Sequence, residues 1–113
     1  MAFNVMTPTQ MGRGNLATAP SLTDVYTVPN ATRALVKCID LANTTAAPLT
    51  ATVYLVPFGG TAGSANVLLP TVTINGNMSL QWTGTQVLND GDFIQASASA
   101  TGMTINVSGG EAV

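Results

Sequence analysis

The sequence predicts an all-β fold, a single jelly-roll-like β-sandwich of about seven or eight short antiparallel strands. Three observations predict it. Runs of β-branched and aromatic residues recur about every 8–12 residues from Asp24 onward, with turn residues between them. No segment carries a convincing helical period, and 113 residues correspond to one domain. We expect residues 1–22 to form an extended N-terminal arm and residues 23–113 to form the sandwich.

The predicted arm has the period of neither a strand nor a helix. Pro8, Pro20 and the run Gly12-Arg13-Gly14 interrupt regular structure. Two interpretations stay open: a frayed terminus, or an arm that becomes ordered on a neighbouring subunit. In the second, removal of residues 1–20 leaves a folded sandwich that no longer binds its partner. The apolar side chains that would anchor the arm are Phe3, Val5, Met6, Met11 and Leu16.

The strands follow in order, each ended by turn residues. Val25-Tyr26-Thr27-Val28 is a short strand that stops at Pro29-Asn30. The next, from Arg33 to Ala42, is apolar on both faces, as expected of a strand in the middle of a packed sheet. A straight strand places two sets of its residues on opposite faces: Leu35, Lys37, Ile39 and Leu41 against Ala34, Val36, Cys38 and Asp40.

The remaining segments complete the sandwich. Asn75-Gly76 is a strong tight-turn signal, since both residues tolerate positive φ. Asn89-Asp90-Gly91-Asp92 marks another turn. The predicted strands are 50–56, 67–69, 71–74, 78–82, 86–88, 93–97 and 103–107.

The composition argues against catalysis. The chain has no His and one Cys, so a nucleophile lacks its usual base, and most metal sites and any disulfide within the chain are excluded. Cys38 is interpreted as a small buried hydrophobic residue. Asp90 and Asp92 fit the backbone hydrogen bonding of a turn, and two carboxylates are too few for a strong calcium site. We therefore expect no enzymatic activity, no cofactor and no metal.

Charge is sparse. Only 7% of residues are charged, against about 25% in an ordinary soluble domain. The net charge of −2 offers no basic surface for nucleic acid, and no apolar run reaches the roughly 18 residues of a membrane span. The first residues lack the pattern of a signal peptide, which favours synthesis in the cytoplasm. Since little repulsion keeps copies apart, we expect other copies or a larger assembly to cover much of the surface.

Several segments also resemble a known group of proteins. They are 26–29, 34–44, 54–57, 59–62, 66–70 and 88–96. In order and spacing they resemble small virion proteins of tailed bacteriophages, a group that includes capsid decoration (cement) proteins, head fibres and tail or baseplate components.

The resemblance implies a structural role in the virion and a β-sandwich. It favours a decoration protein on the capsid surface, made in the host cytoplasm, with the major capsid protein or another virion protein as partner and a homotrimer as its own state. The alternative is a tail, baseplate or head-fibre component that binds a receptor or carbohydrate. Tyr54 and Trp82 could stack on a sugar, although core packing explains Trp82 better, because Leu80 shares its strand face.

Overall fold

The computed structural model describes residues 6–112, and all of its regular structure is β. The prediction of an all-β fold is confirmed. The eight strands are β1 (Met6–Asn15), β2 (Thr23–Thr27), β3 (Arg33–Asn43), β4 (Leu49–Val56), β5 (Val67–Ile74), β6 (Ser79–Leu88), β7 (Phe93–Ala98) and β8 (Met103–Ala112).

The strands form two four-stranded sheets. The first sheet has the order β1-β8-β3-β6 and the second has the order β2-β7-β4-β5. Every neighbouring pair is antiparallel. The pairs β1–β8, β2–β7, β3–β6 and β4–β5 are nested, as if one long hairpin were rolled up so that successive pairs fall in alternate sheets. This is the topology of a jelly roll.

The core lies between the two sheets and comes from alternate residues of the strands. Aliphatic side chains fill it, and burying their apolar surface is the main source of stability. Trp82 packs against this core, as predicted. The largest fully buried side chains are Ile39, Leu41, Ile94, Met103, Val36, Val53, Val56 and Val107.

A β-bulge in β3 overturns the predicted faces of that strand. Between the pairs Val36↔Gly109 and Cys38↔Ser108, β3 has one extra residue, Lys37. Because a bulge reverses the alternation of side chains, Ala34 and Val36 point inward before it and Ile39 and Leu41 point inward after it. A Cβ at Gly109 would collide with the carbonyl oxygen of Leu35, so the bulge needs glycine on the facing strand.

The predicted arm is also corrected. Residues 6–15 form β1, an edge strand of the first sheet hydrogen-bonded to β8, so the structure does not divide the chain at residue 22. Met11 and Leu16 are 5% and 4% exposed and belong to the core of this chain. Met6 is exposed, whereas Phe3 and Val5 lie outside the described residues. Binding of this segment to a partner stays a prediction.

Candidate interaction surfaces

Metal-binding clusters of side chains and membrane-spanning helices are both absent from residues 6–112. These residues contain no group of three His, Cys, Asp or Glu side chains that could hold a metal ion. They also include no helix long and apolar enough to cross a membrane.

The single cysteine lies elsewhere than predicted. After the bulge, Cys38 points to the outer face of the first sheet and is half-buried, with its thiol directed at Oδ2 of Asp40 at 3.7 Å. Burial raises the pKa of the Cys38 thiol, and the negative charge of Asp40 raises it further. A raised pKa reduces the thiolate fraction at neutral pH, so the arrangement opposes a nucleophilic role.

The Asn89–Asp92 turn joins three loops at one end of the sandwich. The Asp92 carboxylate accepts hydrogen bonds from the backbone N–H groups of Asn89 and Phe58, both at 2.9 Å. Asp90 accepts a longer bond of 3.4 Å from the N–H of Ala31. The prediction that these carboxylates serve the backbone of a turn is confirmed. The two aspartates fix loops 28–32 and 57–66 relative to the turn.

Sequence reasoning did not single out Phe58, which is the most exposed large hydrophobic residue between positions 6 and 112. It is 79% exposed, and its ring lies on Gly91, where a Cβ would be 2.6 Å from Cδ1. Gly91 also has a φ of +83°, so glycine is favoured there for two reasons. Beside the ring lies an open cleft of about 390 Å³, whose lining includes Val28, Asn30 and Asp90.

The outer face of the first sheet carries a continuous apolar patch, which we define as Met6, Pro8, Leu35 and Val87. Pro8, Gly110, Leu35 and Val87 are direct neighbours in one row across the four strands. Met6 lies over Gly110. Met6 and Val87 are 44% and 56% exposed. Aligned apolar side chains on a solvent-facing sheet are typical of a contact surface.

The same outer face carries all the basic side chains of the chain. The sequence contains three lysine and arginine residues, and they are Arg13 on β1 and Arg33 and Lys37 on β3. All three are exposed. Asp40 is the acidic residue on this face, whereas Asp24, Asp90, Asp92 and Glu111 lie elsewhere. The molecule therefore has a cationic face, although its net charge is −2.

The outer face of the second sheet is polar. Gln95 donates a hydrogen bond of 2.7 Å to Asp24, and Tyr54 is aligned with Gln95 on the next strand. The hydroxyl groups of Thr52 and Thr71 lie 3.3 Å apart. The pairs Gln95–Asp24 and Thr52–Thr71 therefore hydrogen-bond within the face itself.

Side-chain hydrogen bonds join the two sheets at two places. The buried amide nitrogen of Asn43, at the end of β3, donates a bond of 2.9 Å to the carbonyl of Ile74, at the end of β5. The Tyr26 hydroxyl, on β2, donates a hydrogen bond to the Glu111 carboxylate, on β8. Burial, the hydrogen bond and the charge of Glu111 together raise the pKa of Tyr26 well above its ordinary value. No described side-chain nitrogen or oxygen that is buried lacks a partner.

Comparisons with known proteins support the fold assignment. No protein family matches the sequence, and no curated protein does. Among solved structures, a chain of infectious bursal disease virus strain Gx matches 96% of this chain with a TM-score of 0.50 and 11% identity. A chain of the T13 particle of the same virus gives the same TM-score and coverage with 9% identity. This chain spans 32% and 30% of their lengths, and at such identity the likeness concerns the fold alone.

Proposed function

We propose that this chain is a structural, non-catalytic protein of a virion and, more specifically, a capsid decoration (cement) protein. It binds the assembled head and stabilises it by bridging capsomers. Its partners are the major capsid protein or another virion protein, together with further copies of itself in a homotrimer. It is made in the host cytoplasm and lies on the capsid surface.

The observation that carries the proposal is the outer face of the first sheet. Its apolar patch is exposed, and the chain as a whole has few charged side chains to keep other protein away. The jelly roll adds support, because chains from virus particles share it. The resemblance of six sequence segments to small virion proteins of tailed bacteriophages points the same way.

A cement protein acts by mass action. A ligand that binds the assembled shell but not its separated subunits stabilises the shell by RT ln(1 + [L]/Kd) per site, which is about 2.7 kcal/mol at a concentration of 100 Kd. Small contributions from many copies therefore add up over a whole particle. A rigid sandwich suits this role, because it binds without the entropic cost of ordering a flexible segment.

The test uses purified phage heads that lack this chain, sedimented with increasing amounts of the purified protein. We expect saturable, stoichiometric binding to heads, none to dissociated capsid subunits, and a higher temperature of shell disruption. Val87→Lys should bind much more weakly. Met78→Lys is the matched control, because Met78 is also an exposed apolar residue but lies in the turn between β5 and β6. Absence of saturable binding by the wild-type protein would contradict the proposal.

A second candidate function is a tail, baseplate or head-fibre component that binds a receptor or carbohydrate. The cleft beside Phe58 favours it, because an exposed aromatic ring next to the polar side chains of Asn30 and Asp90 suits a sugar. Binding of the wild-type protein, but not of Phe58→Ala, on a glycan array would support this candidate. A blank array combined with stoichiometric binding to heads would support the decoration role.

A further inference from the structure

We infer that the apolar patch is covered by a second copy of this chain, which docks head to tail and places its Phe58 on the patch. The docking element is the Phe58 loop, defined as Phe58 with the adjoining turn residues Asp90, Gly91 and Asp92. The inference rests on the proposed function for its biological setting, and it names the partner of the same face.

The two surfaces are both apolar and exposed. Phe58 is a single exposed aromatic residue, whereas the patch is a row of apolar side chains on the outer face of the first sheet. Phe58 is held in place, because its backbone N–H binds Asp92 and its ring lies on Gly91. A residue already fixed in its bound position loses little entropy on association. Buried aromatic residues at the centre of an interface commonly provide much of its binding energy.

Charge also favours this pairing over a face-to-face one. The outer face of the first sheet carries three basic side chains and one acidic one, Asp40. Arg33 lines a small cleft together with Asp90 of its own chain, so the charge argument rests on Arg13 and Lys37. The Phe58 loop carries Asp90 and Asp92. Docking the loop on the face therefore brings opposite charges together, whereas docking two such faces on each other brings like charges together.

The contact is heterologous, since the patch and the Phe58 loop are different surfaces of one chain. Repeated contacts of this kind close into a ring if the rotation allows it, and form an open filament if it does not. Both surfaces lie toward the same end of the sandwich, because Val87 precedes the Asn89–Asp92 turn by one residue, Leu88. This position suits a small closed ring, such as the proposed homotrimer, around that end.

The first experiment measures oligomeric state by size-exclusion chromatography with light scattering, over a range of micromolar concentrations. We expect the wild-type protein to form a closed oligomer that weakens as salt is raised. Phe58→Ala and Val87→Lys should each raise the dissociation constant more than about tenfold. Both residues are exposed, so unchanged thermal unfolding verifies that the variants remain folded. Met78→Lys should behave as wild type. A wild-type monomer throughout this range overturns the inference.

The second experiment mixes the two deficient variants. Phe58→Ala keeps an intact patch, and Val87→Lys keeps an intact Phe58 loop. A head-to-tail contact therefore predicts that the mixture forms a one-to-one heterodimer and stops there, although each variant alone is a monomer. A face-to-face contact predicts that Phe58→Ala still associates with itself, which overturns the inference. A wild-type protein that stays monomeric but binds heads overturns the inference and leaves the proposed function standing. A wild-type protein that self-associates but does not bind heads overturns the proposed function and leaves the inference standing.

Discussion

The two outer faces of the sandwich differ in how their side chains are satisfied. On the second sheet, Gln95 binds Asp24 and Thr52 lies beside Thr71, so polar side chains bind one another. On the first sheet, the row that ends at Val87 leaves apolar side chains exposed to water. Both faces belong to one small domain with a common core. The second face satisfies its polar side chains by itself, and the exposed apolar row of the first face is the reason for proposing that other protein covers it.

The largest expected effect comes from removing residues 1–20, which deletes β1 from the first sheet. This replaces the expectation from the sequence that the sandwich stays folded without these residues. Loss of a large buried side chain costs about 2–5 kcal/mol, and Met11 and Leu16 are both lost. Since a whole domain is stable by only about 5–15 kcal/mol, we expect no cooperative thermal unfolding by circular dichroism. A chain that begins at Met6 keeps β1 and should unfold cooperatively. A folded 1–20 deletion would show that β1 is dispensable to the first sheet.

The next effect concerns the hydrogen bond between Tyr26 on β2 and Glu111 on β8, which joins the two sheets. Tyr26→Phe removes the hydrogen bond to Glu111 and should destabilise the protein by about 1.5–3 kcal/mol, the range for bonds to charged groups. Tyr54→Phe, on the polar outer face, is the control and should change little. Urea unfolding measures both. If the two variants lost the same amount of unfolding free energy, the bond between Tyr26 and Glu111 would have no special role in stability.

The same contact should make stability depend on alkaline pH. The raised pKa of Tyr26 means that the folded protein holds the hydroxyl proton more tightly than the unfolded chain does. The stabilisation is complete below the ordinary value of 10.0 and is lost as the pH rises through the higher value in the folded state. Wild-type unfolding followed above pH 10.0 should therefore show a steeper loss of stability than Tyr26→Phe shows.

A smaller effect on stability is expected when an apolar side chain on the outer face of the first sheet is replaced by a polar one. Val87→Thr keeps the shape of the side chain, and a surface change of this kind alters stability by about 0.5 kcal/mol or less. Association measured by light scattering should nevertheless weaken several-fold. The opposite change on the second sheet, Thr73→Val, should leave the oligomer as it is. A stronger effect at Thr73 than at Val87 would reverse the comparison between the two faces.

The smallest expected effect is a change in the reaction rate of Cys38, which reports on whether the outer face of the first sheet is covered. Its raised pKa should make it react with a disulfide reagent more slowly than an unstructured cysteine does at pH 8, and faster as the pH is raised. If a second copy covers the face, the reaction should also slow as the wild-type concentration increases. Phe58→Ala removes that dependence. A rate independent of wild-type concentration would indicate that the face stays open.

The sequence predicted the fold class well, because turn residues and β-branched runs report directly on short strands. It failed for β1, since Pro8 and the two glycines of Gly12-Arg13-Gly14 interrupt the expected pattern. An edge strand tolerates such residues, because only one of its sides is hydrogen-bonded in the sheet. The paired strand, β8, lies about a hundred residues away, and nothing local in the sequence indicates that pairing.

The candidate surfaces were harder to predict. The bulge at Lys37 reversed the second half of β3, and its requirement for Gly109 comes from the approach of a distant strand. The apolar patch arises from the register of four strands, so Pro8 and Val87 become neighbours in one row only after folding. The sequence shows Phe58 only as an aromatic residue among Pro and Gly, which is a weak signal. Its position depends on contacts with the distant Asn89–Asp92 turn, so local sequence does not reveal that it is exposed.

The position of β8 has a consequence for the order of folding. β8 is the last strand of the domain to leave the ribosome, yet it lies between β1 and β3 inside the first sheet. Until it arrives, β1 has no partner, and its pairing closes the longest loop in the chain. The outer face of the first sheet is therefore complete only after β8 has been synthesised and has paired with both of its neighbours.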